Sequence, residues 1–431
     1  MKKMLSAALA AFLAITLLPG CQKSGTTKDG KTELLLGLPG GDGNTPWEIV
    51  ETFKAQYGDK YSIKEDTASW ADFNQKIKLQ FVSKNDVTPV FFTDSMQAMT
   101  FGAQGAALDI KDFVDSEIDK EKYNKSLYAI SDAEGHLWGV PHDLNAIAVL
   151  YNKDILDERG VPYPTEDWTF QDMIDMAKKL TFDRDGDGKT DVYGIHYIHN
   201  ITQGWWPFML AVGTSPYKND FRDSNLDDPL IREAMVKYME TINAGCQMEP
   251  AELAAIGGQD AAFADEKVAM VICQASSLKT INKFNPDLNY DAQIMPVGWS
   301  GVRPCVYVPN TWQIYAGVSE AEKEGCFDWL RHYLSEESQM LLANGDGGLP
   351  CMLSALDAVT AAGRKPEQID SFYRGIDEHG VTLLENPASS VSRSFVDNMT
   401  QKIRAGEDMD QWIQQSHTDM QRELDYFYEN R

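Results

Sequence analysis

Positive charge is what this sequence is short of: 39 lysines and arginines face 65 aspartates and glutamates, a formal net charge of −26. That balance excludes nucleic acid as a partner, because phosphates demand a basic surface. It also excludes adhesion to anionic lipid by charge. Catalytic and metal-binding signatures are missing too. None of the seven histidines sits in an HExxH, and no GxSxG nucleophile elbow occurs. His196 and His199 stand three residues apart without a carboxylate between them, poor material for a metal site. There is no CxxC, so zinc and redox motifs have no support. After residue 18 no apolar run is long enough to cross a bilayer. Together these absences point to a protein that binds rather than reacts, and that carries no organic cofactor.

What is present begins at the N-terminus. Lys2 and Lys3 precede a short apolar run, 4–18, which ends at Leu18-Pro19-Gly20-Cys21. The arrangement resembles a bacterial lipoprotein signal, which implies cleavage after Gly20, lipidation of Cys21 and an extracytoplasmic, membrane-anchored location. Residues 1–20 are then the signal, and 21–31, rich in polar residues, a flexible tether. The remaining cysteines, Cys246, Cys273, Cys305, Cys326 and Cys351, are odd in number and widely spaced. At least one thiol stays free within a monomer, and all five read as small buried apolar residues.

The length, 431 residues, exceeds what one core usually organises, so two domains are expected. Strand and helix patterns alternate. Residues 32–37 (TELLLG) read as a buried strand, followed by a glycine-rich turn at 37–44 that brings backbone close to a ligand at the mouth of a sheet. Trp47, Val50, Phe53 and Tyr57 share one helix face. Further strands are predicted at 61–66, 89–92 and 268–273, and helices at 71–82, 320–334 and 408–428. Thr169 caps a helix with Asp172 three residues on. The alternation predicts α/β architecture on a largely parallel sheet.

Two local features carry possible chemistry. Asp183, Asp185, Asp187 and Asp191, with Gly186, follow an EF-hand calcium loop, but Gly194 stands where the bidentate glutamate belongs. Either calcium binds weakly as a structural ion, or this is a tight acidic turn. Tryptophan is the second: Trp70, Trp205, Trp206, Trp299 and Trp312 lie in polar or Gly/Pro-rich surroundings. An indole face matches the CH face of a sugar ring, while carboxylates and amides take its hydroxyls.

The stretch 135–181, GHLWGVPHDLNAIAVLYNKDILDERGVPYPTEDWTFQDMIDMAKKLT, closely resembles family 1 extracellular solute-binding proteins, the maltose-binding-protein group. Other landmarks follow in order: 86–94 (DVTPVFFTD), the DxDGDGxxDxYG turn at 183–194, and 263–277, which is similar to F-xx-GKVAM-xxxGSW. Glu266 stands where that pattern has glycine, and Ser276 and Ser277 replace its Ser-Trp ending. The resemblance implies a two-lobe, periplasmic-binding-protein-like α/β fold with an interlobe ligand cleft and several hinge crossings. The crossings are expected near 143–148, 304–308 and 349–352. The first lobe is then 32–143 with 308–349, and the second 144–307 with 350–431.

By position, the implied cleft residues are Asp42, Asn44, Trp70 and Asp94 from the first lobe, Asp143 and Asn145 at the crossing, and Trp205 and Trp206 from the second lobe. Asn310 and Trp312 return from the first. The implied function is a monomeric receptor delivering a carbohydrate to the permease subunits of an ABC importer, with no catalysis. A same-fold receptor for a peptide or polyamine is the alternative, ahead of a two-carboxylate hydrolase and a surface adhesin. One outcome follows from the signal alone. Cys21→Ala releases the protein into the medium or leaves it unprocessed, as read by membrane fractionation. A variant that keeps its membrane association after signal removal would refute lipidation as the anchor.

Overall fold

The computed structural model describes residues 27, 29–40, 47–84, 86–132, 134–219, 221–345, 348–376, 380–382 and 388–429. Eleven strands are found among them: β1 (Thr32–Pro39), β2 (Tyr61–Ala68), β3 (Val90–Thr93), β4 (Val140–Asn152), β5 (His196–Tyr197), β6 (Tyr217–Lys218), β7 (Asp223–Ser224), β8 (Met270–Gln274), β9 (Tyr290–Gln293), β10 (Cys305–Ile314) and β11 (Gly380–Thr382). β6 and β7 pair by themselves. The other nine form one mixed sheet in the order β2-β1-β3-β10-β4-β8-β5, with β9 on β4 and β11 on β10. The expectation of a largely parallel sheet is corrected here. β1, β2 and β3 are parallel to one another, as are β5 and β8, but β10 and β4 run antiparallel to each neighbour in that order. The reason is topological: a strand that returns from one lobe to the other enters its sheet from the opposite end.

The helices follow their local signals. Thr169 and Asp172 form a reciprocal capping box at helix Phe170–Lys179, which buries Met173 and Ala177. Ser319 and Glu322 do the same at helix Glu320–Tyr333. In helix Trp47–Tyr57 the buried face is Ile49, Val50 and Phe53, while Trp47 is 43% exposed, so it is not part of that face. Gly37 lies inside β1, where a Cβ would meet Phe91 and Thr88 at 2.8 and 2.9 Å. Its glycine serves strand packing rather than approach to a ligand. The five cysteines are buried and unpaired, and burial pushes the Cys305 and Cys351 thiols up to about 12. No helix of the described residues is long and apolar enough to cross a membrane.

The two lobes share β4 and β10. These strands pair from Tyr307↔Ala146 to Trp312↔Val140, with a bulge between Asn310 and Thr311. A third segment joins them where the Leu144 N–H donates to the Leu349 carbonyl at 2.8 Å. β4 is buried on both faces: Ala146, Ala148 and Leu150 enter one core, and Ile147, Val149 and Tyr151 the other. Trp312 belongs to the first of these cores. It has no exposed surface, and its ring centroid lies 5.0 Å from that of Trp329, 5.2 Å from Tyr333, 5.5 Å from His142 and 6.2 Å from Phe92. Trp312→Ala therefore removes a core aromatic, and chemical denaturation is expected to show a loss of about 3–5 kcal/mol. A loss under about 1 kcal/mol would contradict this packing.

Candidate ligand-binding site

The carboxyl ends of the parallel strands in both lobes converge on the crossing. β3 ends at Thr93, which pairs with Thr311 beside Asn310, and Asn310 pairs with Asp143. From the other side, Gln274 at the end of β8 pairs with Ile147, four residues on from Asp143. In open α/β sheets this is where ligands bind, because loops leave the strands there and backbone groups are not all claimed by the ladder.

Several residues singled out in the sequence meet at this point. Asp143 is 1% exposed, and its Oδ1 accepts from Asn310 Nδ2 at 2.7 Å. Its Oδ2 has no hydrogen-bond partner and lies 3.6 Å from His142 Nδ1. A Cβ at Gly348 would collide with this carboxylate, so the third crossing segment packs directly on it. Asn145 Oδ1 accepts the Ser276 N–H at 3.1 Å and ties β4 to the turn after β8. Asp94 caps helix Ser95–Ala103, its carboxylate accepting both the backbone N–H and the Nε2 of Gln97 at 2.9 and 3.0 Å. Trp70 opens helix Trp70–Ser83 directly after β2. Asp42 and Asn44 lie outside the described residues.

The tryptophans are placed differently from the sequence reading. Trp312 is in the core, as described above, so it presents no free ring face. Trp205 is likewise fully buried, its Nε1 donating to Asp397 at 2.8 Å. Trp206 is 4% exposed, and its Nε1 is buried without a partner. Polar sequence neighbours misled here. Thr311 and Gln313, which flank Trp312, are themselves buried, and the Gln313 Nε2 donates to the carbonyls of Ala98 and Trp138.

A second-lobe cluster escaped the sequence reading. Gln203 Nε2 donates to Gln274 Oε1 at 3.5 Å, and Gln259 Nε2 to Gln203 Oε1 at 3.3 Å. Asp260 bonds Ser277, and burial raises its carboxyl to about 6. The signal available was polarity at Gln259 and Asp260, immediately before an apolar helix that leads into β8. His196 and His199 lie farther along the same lobe. Burial, followed by the Arg404 charge, holds them at about 4 and about 3, so both are neutral packing groups at neutral pH.

In the acidic turn, carboxylate oxygens of Asp183, Asp185 and Asp191 lie within 4.8 Å of one another, and Asp187 pairs with Lys189 at 3.0 Å. Backbone amides already staple the loop: Gly186 and Gly188 donate to Asp183, and Arg184 and Asp185 to Asp191. Those donors, Gly188 foremost, hold the Asp183 carboxyl below its usual range.

Known proteins share this architecture. An ABC substrate-binding protein from Listeria monocytogenes, solved with cycloalternan, superposes with a TM-score of 0.78 at 19% identity, covering 91% of this chain and 98% of its own. The sugar-binding protein MalE from Xanthomonas citri gives 0.77 at 15% identity, covering 93% and 100%. A Brucella abortus (strain 2308) binding protein is 22% identical over 311 residues, 70% of this chain and 71% of that protein. The family model described as "Bacterial extracellular solute-binding protein" matches residues 48–367. Sharing that match over most of its length, the chain belongs to the bacterial extracellular solute-binding proteins.

Proposed function

We propose that this protein is the extracytoplasmic receptor of an ABC importer, and that it captures a carbohydrate between its lobes and hands it to the permease unchanged. The observation that carries this reading is a set of buried polar atoms without partners, drawn from both lobes to the crossing. They are Thr93 Oγ1 at the end of β3 and Asp143 Oδ2 on β4, with Gln259 Oε1 on the amide chain that reaches Gln274 at the end of β8. Leaving such a group unmet costs about 1–3 kcal/mol, so a fold that retains several in one place has a use for them. A polyhydroxylated solute supplies both donors and acceptors. Solved relatives support the class: one from Thermotoga lettingae is bound with α-D-tagatose, one from Agrobacterium radiobacter is in complex with ribitol, and a third is bound with mannotriose.

Catalysis finds no comparable support. Two-carboxylate hydrolysis needs a second acid beside the one whose pKa is raised. Burial raises the Asp260 carboxyl, and no second carboxylate contributes to that shift. The lobes are taken to divide at 143/144, 307/308 and 349/350, and the protein to work as a monomer held at the membrane by lipid on Cys21. The acidic turn is read as scaffold, with calcium as its structural ion.

Titration with maltotriose, mannotriose, D-tagatose, ribitol and spermidine, followed by calorimetry and melting, tests the reading. At least one sugar or polyol is expected to bind saturably, and at a hundredfold excess over Kd to add about 2.7 kcal/mol of stability. Binding of spermidine alone would replace the carbohydrate with a cationic solute. For the turn, millimolar calcium is expected to raise the melting temperature, and Asp185→Ala to remove that rise. An unchanged melting temperature leaves the amide-stapled turn without an ion.

A further inference from the structure

We propose that Gln259 and Asp260 form a second-lobe acceptor pair that selects the solute by its hydroxyl donors, with Asp260 the side chain that sets affinity. The inference rests on the carbohydrate reading above and names the group that does the selecting.

Both residues open helix Gln259–Ala264 and sit against the end of β8, the strand whose last residue lies beside the crossing. Gln259 is 4% exposed, and its amide nitrogen is committed to the protein. Nε2 donates to the Ile272 carbonyl at 3.2 Å and to Gln203 Oε1 at 3.3 Å. Its Oε1 is left buried with no partner. An amide whose donor side is used inward offers a ligand only an acceptor. Asp260, next in the chain, adds a carboxylate that bonds Ser277. Ser277 follows Ser276, whose N–H is held by Asn145 on β4, so the turn is fixed to the crossing strand. Asp143 Oδ2, on the crossing strand β4, is a further unmet acceptor. Unmet acceptors such as Gln259 Oε1 and Asp143 Oδ2 ask a ligand for donors, and vicinal hydroxyls supply them in pairs.

Asp260 stands in the first turn of its helix and bonds Ser277, yet no cationic side chain among the described residues offsets the burial of its charge. Burial lifts its carboxyl from 3.8 to about 6, opposed only by the Ser277 bond. The sign follows from linkage. A raised folded value means that stability present below the unfolded value is lost as pH rises toward about 6, so at neutral pH the fold carries this charge at a cost. Ser277 and the Cys273 thiol face it. The neighbouring helix Pro250–Ile256 carries Glu252, which bonds Tyr193, and helix Ser277–Phe284 carries Lys279 and Lys283, and none of these charges contributes to the shift. A buried carboxylate without a cationic partner, next in the chain to an amide whose oxygen is unmet, makes this pair a candidate for ligand recognition.

Asp260→Asn keeps the shape and removes the charge. Calorimetric titration uses the tightest binder among maltotriose, mannotriose, D-tagatose and ribitol, with D-glucosamine as the ammonium-bearing control. The variant is expected to bind at least about tenfold more weakly, the weight of one charged hydrogen bond. Its melting temperature should equal or exceed that of the unaltered protein. Independently of any variant, affinity of the unaltered protein should fall as pH is lowered from about 7.5 to about 5, through the Asp260 range, and the variant's should not. Unchanged affinity in Asp260→Asn, with the sugar still bound by the unaltered protein, overturns this inference alone. A lowered melting temperature that accompanies weaker binding overturns it in favour of a structural role. Tighter binding of D-glucosamine than of every neutral probe overturns the hydroxyl assignment. Failure of the unaltered protein to bind any probe overturns the carbohydrate reading, and this inference with it.

Discussion

The pairing of β4 with β10 is the constraint on which the rest depends. These two strands are the shared spine of both lobes: each contributes one half to the first-lobe part of the sheet and the other half to the second. Because β4 and β10 pair on both sides of the crossing, main chain holds the strand ends of the two lobes next to each other. Pro141 and Pro309 stand in these strands near the crossing, and neither offers an N–H to the ladder. The bulge at Asn310/Thr311 lies in the same stretch. A ladder thinned there can bend with less loss of hydrogen bonding than one paired throughout, which suits a hinge between two rigid bodies.

Much of the fold was legible because local signals agreed with one another. The capping box at Thr169 and the apolar runs of β1 and β3 each state one structure unambiguously, and the elements appear within a residue or two of the expected bounds. Strand direction was not legible. Period and propensity are the same for a parallel and an antiparallel strand that is buried on both faces. Only the partner decides, and for β10 the antiparallel partners β3 and β4 lie more than 150 residues away in sequence.

Of the residues singled out in the sequence, Asp143, Asn145 and Asn310 are found together at the crossing, whereas Trp205 and Trp312 lie in the cores. Asp143 and Asn310 bond each other across β4 and β10, and Asn145 holds the turn after β8, so these polar side chains tie the crossing together. Trp312 was read from its polar flanks as facing that gap. On a strand covered on both faces, however, flanking residues point into the opposite core, and a buried Gln313 is tolerated because backbone carbonyls satisfy its amide. Polarity in the sequence reports hydrogen-bonding need, and exposure is only one way to meet it.

That distinction also organises the second lobe. Gln203, Gln259 and Gln274 form a chain in which each amide positions the next, and the chain ends in an oxygen that the protein does not satisfy. Such networks are costly when incomplete, because a low-dielectric surrounding magnifies every unpaired dipole. Rigidity is what the arrangement gains: side chains already locked by their neighbours lose little freedom when a solute arrives. A wall built from interlocked amides and one carboxylate therefore discriminates by hydrogen-bond direction, where an aromatic wall would discriminate by shape. Ser276 and Ser277, at the start of the helix that follows β8, link this wall to the crossing. The same turn bonds Asn145 through Ser276 and Asp260 through Ser277, so the amide wall is fastened at the point where the lobes meet.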